Sequence, residues 1–225
     1  MSPQNQLPID KLIERLIEQA GVPPRREVIH QLKLYFEELQ KWNKVTNLTA
    51  IDDPEELVLN FLGDTLTILK YIPKAALNML DIGSGAGVPG LIVKVFRPDL
   101  KVVLVEATRK KVSFLKTVIV TLGLKGITAE HGRVGEAWVP KKRPEGGFDV
   151  ITARALTSLE RLILIAAPLL SSRGMILAMK GPRGVAEARK AKSVIQKLGL
   201  NIEMAKATVP ILRHERTIIL VKKMA

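Results

Sequence analysis

The chain has 225 residues, 47% of them hydrophobic, and a net charge of +13, enough for one large domain with a small extension. It contains no cysteine, which excludes disulfide partners, thiolate metal sites and thiol nucleophiles together, and His30, His131 and His214 are too scattered to point to a metal. No apolar run approaches bilayer-spanning length, and Met1-Ser-Pro-Gln-Asn-Gln6 lacks a charged-then-apolar leader pattern, so the expectation is a cytoplasmic protein with no membrane segment.

Leu12, Ile13, Leu16 and Ile17 recur at helical spacing among charged residues, which predicts a helix over 8–20 ended by Gly21-Val-Pro-Pro24. A second helix is predicted from Arg26 to Trp42, on which Tyr35 and Trp42 fall on the apolar face and read as core. Lys44–Thr49 reads as a polar connector. Asp53, Pro54 and Glu55-Glu56 then supply a cap, a first-turn proline and first-turn acids for a third helix that stops before Pro73. Residues 1–75 are therefore expected to be a helical extension packed on the remainder of the chain.

From residue 77 the pattern alternates strand and helix, as in a parallel α/β sheet. Strands are predicted at Asn78–Ile82, Val102–Glu106, Ile127–Glu130, Phe148–Ala153 and Met175–Lys180, with helices near 88–96, 108–122, 156–171 and 184–198. The runs 202–209 and Arg216–Val221, separated by Pro210, are expected to close a seven-stranded sheet as an antiparallel pair. Residues 76–225 thus form the second predicted unit. The charge divides at the same place: residues 1–75 hold 9 Lys and Arg against 11 Asp and Glu, and residues 76–225 hold 26 against 11. A basic excess confined to one unit suggests a polyanionic partner, nucleic acid first, with a merely soluble basic surface as the alternative.

The stretch Asn78–Gly90 carries the chemistry. An apolar strand ends near Asp81, Gly83, Gly85 and Gly87 follow at alternate positions, and a helix begins. Such a turn lets main-chain N–H groups approach a nucleotide-like ligand. Gly85-Ala-Gly-Val-Pro-Gly90 formally matches the dinucleotide fingerprint, and an NAD(P)-dependent oxidoreductase is the rival enzyme. Against it, Gly83 already ends the strand, and the Asp81 carboxylate would repel a pyrophosphate. S-adenosylmethionine carries an ammonium and a sulfonium but no phosphate, so acids at Asp81 and at Glu106, which ends the next strand, suit it. For the methyl acceptor, C5 of a pyrimidine is excluded by the lack of cysteine, and no Asn/Asp-Pro-Pro-aromatic loop is present for an exocyclic amine. A ring nitrogen with a free lone pair, such as guanine N7, fits without being required; no residue is then assigned as a catalytic base.

These residues resemble a family. Leu80-Asp-Ile-Gly-Ser-Gly-Ala-Gly-Val-Pro-Gly-Leu91 is similar to the hinge of the bacterial small-subunit ribosomal RNA methyltransferases called RsmG, or glucose-inhibited division protein B. The likeness extends to Trp42-Asn-Lys-Val-Thr-Asn-Leu-Thr49, Arg109-Lys-Lys-Val-Ser-Phe-Leu115, Gly132-Arg-Val134, Thr152-Ala-Arg-Ala155 and Met179-Lys-Gly181. It implies a Rossmann-like class I S-adenosylmethionine-dependent methyltransferase acting on N7 of one guanine in 16S rRNA, on the free RNA or the small ribosomal subunit. It further implies that Gly83 and Val88 line the methionine and ribose side of the pocket, Glu106, Ala107 and Thr108 follow the ribose and adenosine, Val134 and Gly135 flank the adenine, and Arg154 closes the site. Two positions depart from the pattern: Gly135 stands where glutamate is common, and Phe61 where histidine is.

The expected RNA contacts are Asn47, Arg109, Lys110, Lys111, Arg133, Lys180 and Arg183. Cations are unfavourable at a helix start, which makes Arg109-Lys110-Lys111 a candidate for an external phosphate, with a solvated helix face as the alternative. Arg154 is alternatively an ordinary strand-end arginine paired with Glu106 or Glu136. A non-catalytic RNA-binding assembly factor on the same fold is the remaining rival.

Overall fold

The computed structural model describes residues 7–135, 140–141, 143–154 and 157–223. Three helices open the chain: α1 (Ile9–Gln19), α2 (Arg26–Thr46) and α3 (Pro54–Leu69). Helix α1 buries the four apolar residues that its spacing singled out, Leu12, Ile13, Leu16 and Ile17, each worth about 1.5–3 kcal/mol of burial. Helix α2 runs past Trp42, because Lys44-Val45-Thr46 is polar but not helix-breaking, and the Thr46 hydroxyl donates to Trp42 O at 2.7 Å. It stops at Asn47, whose φ of 48° is the left-handed cap that asparagine tolerates. The buried Asn43 side chain staples the connector: it accepts from Thr49 N–H at 2.9 Å and donates to Ile51 O and Asp52 Oδ1. Asp53 caps α3 by accepting from Glu56 N–H at 2.8 Å.

Seven strands come next: β1 (Asn78–Ile82), β2 (Lys101–Glu106), β3 (Ile127–His131), β4 (Phe148–Arg154), β5 (Leu170–Lys180), β6 (Leu200–Thr208) and β7 (Glu215–Lys223). Their order in one sheet is β3-β2-β1-β4-β5-β7-β6. The first five are parallel, and β7 runs antiparallel between β5 and β6. The helices between them are α4 (Gly90–Phe96), α5 (Arg109–Thr121), α6 (Leu159–Ala166), α7 (Gly184–Lys190) and α8 (Lys192–Lys197).

Other boundaries also differ from the sequence expectation. The helix after the hinge begins at Gly90, because residues 83–89 are all needed for the turn. The helix expected over 156–171 is shorter: residue 156 lies outside the described residues, Pro168 sits in a 3-10 turn over Ala167–Leu169, and β5 begins at Leu170. The early part of β5 meets β4 with a register shift between Phe148 and Val150. The helix expected over 184–198 divides at Ala191.

The sheet is covered on both faces. One apolar core runs from Leu12 of α1 through α2, α3, α4 and α5 to Leu220 of β7, so the extension and one face of the sheet share a single interior. The other face packs on α6, α7 and α8. Among the described residues no helix is long and apolar enough to cross a membrane. The strand order reverses between β1 and β4, and a cleft opens there at the carboxyl edge, where ligands bind in sheets of this kind.

Candidate active site

The hinge is built from main-chain bonds. Gly83 and Ser84 N–H both donate to Val105 O, at 2.8 and 3.0 Å, which ties the turn to β2. Gly87 and Val88 N–H then fold back onto Ser84 O. Gly83, Gly85 and Gly87 all have positive φ, 72°, 56° and 98°, which a side chain would oppose. Gly87 is also held by space: a Cβ there would lie 3.0 Å from Leu91 and 3.2 Å from Leu115. Gly87 and Val88 are buried and face inward, Val88 as part of the core shared with the extension. Tyr35 of α2, fully buried, donates its hydroxyl to Ala86 O at 2.8 Å, so the extension holds the hinge from beneath. Burial raises the Tyr35 phenol far above its ordinary pKa.

Glu106 closes the turn. Its Oε2 accepts from Gly85 N–H at 3.0 Å and its Oε1 from Thr108 N–H at 2.8 Å. One carboxylate thereby joins the hinge to the start of α5, and each oxygen keeps acceptor capacity for a further donor.

Asp81 has a different place from the one its charge suggested. It is fully buried behind the hinge, where Oδ1 accepts from the Thr152 hydroxyl at 2.7 Å and Oδ2 from Gly90 N–H at 3.2 Å. Gly90 is a glycine because of it: a Cβ would lie 2.6 Å from Asp81 Cβ and 2.5 Å from Leu104. Asp81 is thus a brace between β1, β4 and α4 and does not reach the cavity. Burial raises its pKa to about 6, against the lowering effect of the Thr152 hydroxyl and the Gly90 N–H. The folded protein therefore keeps a proton that the unfolded chain releases near pH 4. Stability is expected to fall as pH rises from about 4 to about 6, and Asp81→Asn removes that component. Relative to the parent, Asp81→Asn should gain about 2 kcal/mol in urea unfolding between pH 4 and pH 7. A pH-independent difference between the two proteins would refute the ionisation.

The cavity in front of the hinge has a volume of about 320 Å³. Ile82, Val105, Ala107, Val134 and Ile165 give it apolar walls, and Gly83 and Gly132 bring main chain to its surface. Arg133 and Arg161 are exposed side chains among its lining residues. Of the residues expected at a cofactor, Gly83, Ala107 and Val134 line this cavity, while Gly85, Glu106 and Thr108 form the ridge beside it. Gly135 has φ of 90°, and a Cβ there would meet Ile165 Cγ2 at 2.5 Å. Glutamate at 135 would therefore demand a different residue or position at Ile165, which explains that departure in this chain. Ile165 and Arg161 come from α6, distant in sequence, and nothing local marks them as cavity residues.

Arg154 leaves the end of β4 beside the hinge. Its guanidinium meets Asp64 Oδ2 of α3 at 2.9 Å and lies 5.0 Å from the centre of the Phe61 ring. Of the two acids expected as its partner, Glu106 is engaged with the hinge instead, and Glu136 lies outside the described residues, as does Ala155. The other oxygen of Asp64 accepts from Arg216 Nε of β7 at 2.8 Å. Asp64 is nearly inaccessible, its side chain 3% exposed, while the two arginines are 25% and 22% exposed. One buried carboxylate from the extension thus aligns two half-buried arginines along the carboxyl edge. Phe61, where the family pattern has histidine, supplies a ring face for Arg154.

The expected RNA contacts are dispersed. Arg109 and Lys110 are exposed at the start of α5 and Lys111 is half-buried; none forms an ion pair among the described residues. Arg183 is exposed just before α7. Asn47 is exposed but serves as the cap of α2. Lys180 is a correction: it is 8% exposed, and its ammonium donates to Thr157 O at 2.5 Å and pairs with Glu187 at 2.8 Å. It braces the segment before α6 against α7, so its charge is already spent within the fold. Among the described residues no group of three or more His, Asp or Glu could hold a metal ion.

A seven-stranded sheet of this order, with a glycine hinge after β1 and an acid ending β2, defines the class I methyltransferase fold. A putative O-methyltransferase from Klebsiella pneumoniae superposes with a TM-score of 0.60 at 13% identity, covering 96% of this chain and 97% of that one. The sequence matches the family described as rRNA small subunit methyltransferase G over residues 28–218. The chain is 35% identical over 212 residues to Ribosomal RNA small subunit methyltransferase G of Syntrophotalea carbinolica, covering 94% of this chain and 96% of the relative. The corresponding protein of Desulforamulus reducens is 40% identical over 194 residues, covering 84% and 79%. The chain belongs to the rRNA small subunit methyltransferase G family.

Proposed function

We propose that the protein transfers the methyl group of S-adenosylmethionine to N7 of a guanine in 16S rRNA. The observation that carries the cofactor reading is Glu106, whose carboxylate bridges Gly85 and Thr108 beside an apolar cavity. A carboxylate at the end of β2 suits a ribose diol, and Ile82, Val105, Ala107, Val134 and Ile165 suit a purine face. The open turn at Gly83 and Gly85 leaves room for the methionyl part. Bound there, the cofactor would supply a methyl group on a positively charged sulfur.

Guanine N7 attacks with a lone pair that bears no proton, so no residue has to act as a base. The protein's part is to orient the base, exclude water and hold the hinge rigid. Arg154, fixed by Asp64 and Phe61 at the cleft, is the residue proposed to border the target nucleotide. Arg109, Lys110, Lys111 and Arg183 are proposed contacts for phosphates farther out, where they would add affinity without reading sequence.

The test is transfer of labelled methyl to small-subunit RNA or particles from cells lacking the enzyme, followed by mass spectrometry of the nucleosides. The expected product is 7-methylguanosine; another methylated nucleoside overturns the acceptor, and no labelled RNA overturns the enzyme reading. Calorimetry against S-adenosylmethionine and NADP separates the rival cofactor class.

A further inference from the structure

A second cleft opens on the same edge of the sheet, away from the hinge. It has a volume of about 530 Å³ and lies at the seam between the helical extension and the turn joining β6 to β7. Arg15 of α1, Lys70 at the end of α3, Lys206 of β6 and Arg213 of the turn line it, and no carboxylate does. All four cations are exposed. Lys206 is 3.7 Å from Glu215, with both side chains more than 70% exposed, and Lys70 lies over the Tyr71 ring. Arg15 and Arg213 form no ion pair among the described residues. The extension is net acidic, yet two of its cations face this cleft.

The turn is held rigidly in an unusual shape. Ile211 and Arg213 have φ of 63° and 54°; a β-branched residue in that region is an outlier that packing must enforce. The packing is present: Val209 is fully buried, and it fits against α3 only because residue 63 is glycine, where a Cβ would lie 2.7 Å from Val209 Cγ1. Val209 N–H donates to His214 O at 2.9 Å and Arg213 N–H to Val209 O at 2.9 Å. This conformation fixes Arg213 opposite the two cations of the extension.

The strand register relates this cleft to the active site. Arg154 pairs with Met179, Met179 with Ile218, and Ile218 with Ala205, next to Lys206. Three strand spacings separate the two positions, roughly 15 Å, a distance that a few nucleotides of backbone cover.

We propose that this cleft docks the phosphodiester backbone of the substrate RNA, a few nucleotides from the base that enters beside Arg154. The inference rests on the RNA-methyltransferase reading of the active site. Like-signed side chains converging on a cleft with no carboxylate in its lining favour a polyanion, the solvated Lys206–Glu215 contact being a weak competitor. A rigid turn also loses little ordering entropy when one binds.

The test is the triple variant Arg15→Gln/Lys70→Gln/Arg213→Asn, with asparagine chosen because it tolerates the left-handed backbone. Filter binding of a small-subunit RNA fragment at several salt concentrations, steady-state methyl transfer, and calorimetry with S-adenosylmethionine are measured for parent and variant. RNA affinity is expected to fall about 10–100-fold at low salt, and the slope of log affinity against log salt to flatten by about 2. KM for RNA should rise while kcat and cofactor affinity stay within about twofold, given that no cofactor residue is touched. If the parent methylates RNA and the variant keeps its RNA affinity and salt slope, the docking site is wrong and the enzyme reading stands. If the parent neither binds nor methylates the RNA, whether offered free or in small-subunit particles, the enzyme reading fails and the docking site with it. Loss of cofactor affinity together with RNA affinity would make the cleft a fold element and also overturn the proposal.

Discussion

Glu106→Ala is expected to lower S-adenosylmethionine affinity by about 10²–10⁴-fold and to bring methyl transfer down with it. The magnitude comes from two roles of one carboxylate. It would accept two ribose hydroxyls, and charge-assisted bonds of that kind are worth about 1.5–3 kcal/mol each, with 1.4 kcal/mol per tenfold in affinity. It also holds Gly85 N–H and Thr108 N–H at 3.0 and 2.8 Å, so its loss leaves the hinge and the start of α5 without their shared acceptor. Glu106 is itself buried, but Gly85 is half-buried and Thr108 exposed, so their freed N–H groups can turn to water. The stability cost should therefore be only about 1–2 kcal/mol, and the variant should remain folded by circular dichroism. Glu106→Gln keeps one acceptor oxygen and should fall between. Calorimetric titration decides the matter: an alanine variant that binds S-adenosylmethionine as the parent does would remove Glu106 from the cofactor site.

The sequence carried much of this fold because its signals are local. The four apolar residues of α1, the Asp53–Pro54 start of α3 and the short apolar strands each specify their own element through spacing or capping. Seven strands with a closing antiparallel pair can be read from the alternation alone. Where the elements differ, the cause is also local: α2 runs on past Trp42 to its cap at Asn47, and Pro168 hands residues 170–174 to β5.

The candidate site was legible only along one stretch of chain. Gly83, Ala107 and Val134 lie on or just after strands β1, β2 and β3, and the structure brings them to one cavity. Asp81 shows the limit. Its residue type and position at the end of β1 pointed to a ligand, but side chains along a strand alternate between faces, and the structure turns this one toward Gly90 and Thr152. Lys180 fails for a similar reason: a cation at a strand end reads as exposed until Glu187 and Thr157 are folded against it. Arg161 and Ile165 reach the cavity through packing of α6 across the sheet, a relation between elements that no local pattern encodes.

Asp64 carries the longest connection of this kind, to Arg216, 152 residues away. The sequence held one trace of it, an acid inside the otherwise apolar run Phe61-Leu-Gly-Asp-Thr-Leu66. Asp64→Ala should leave two arginines without their shared acceptor at a nearly inaccessible position. Removing one partner of a fully buried pair costs about 3–5 kcal/mol; here both guanidiniums are partly exposed and can turn to water, so a loss of about 1–3 kcal/mol is expected. At roughly 2–4 °C per kcal/mol for a chain of this size, the melting temperature should drop by about 2–10 °C. Methyl transfer should fall further than that destabilisation explains, because Arg154 loses the contact that aims it. The prediction is a decrease of at least about tenfold in kcat/KM for RNA, or 1.4 kcal/mol, at a temperature where the variant is fully folded, with S-adenosylmethionine affinity changed by less than about threefold. Arg154→Ala should reproduce the loss of activity, and the double variant should lose little more than either single one, since both remove the same arrangement. Full additivity of the two losses would separate Asp64 from Arg154 and leave the acid as a tie between the extension and β7 alone.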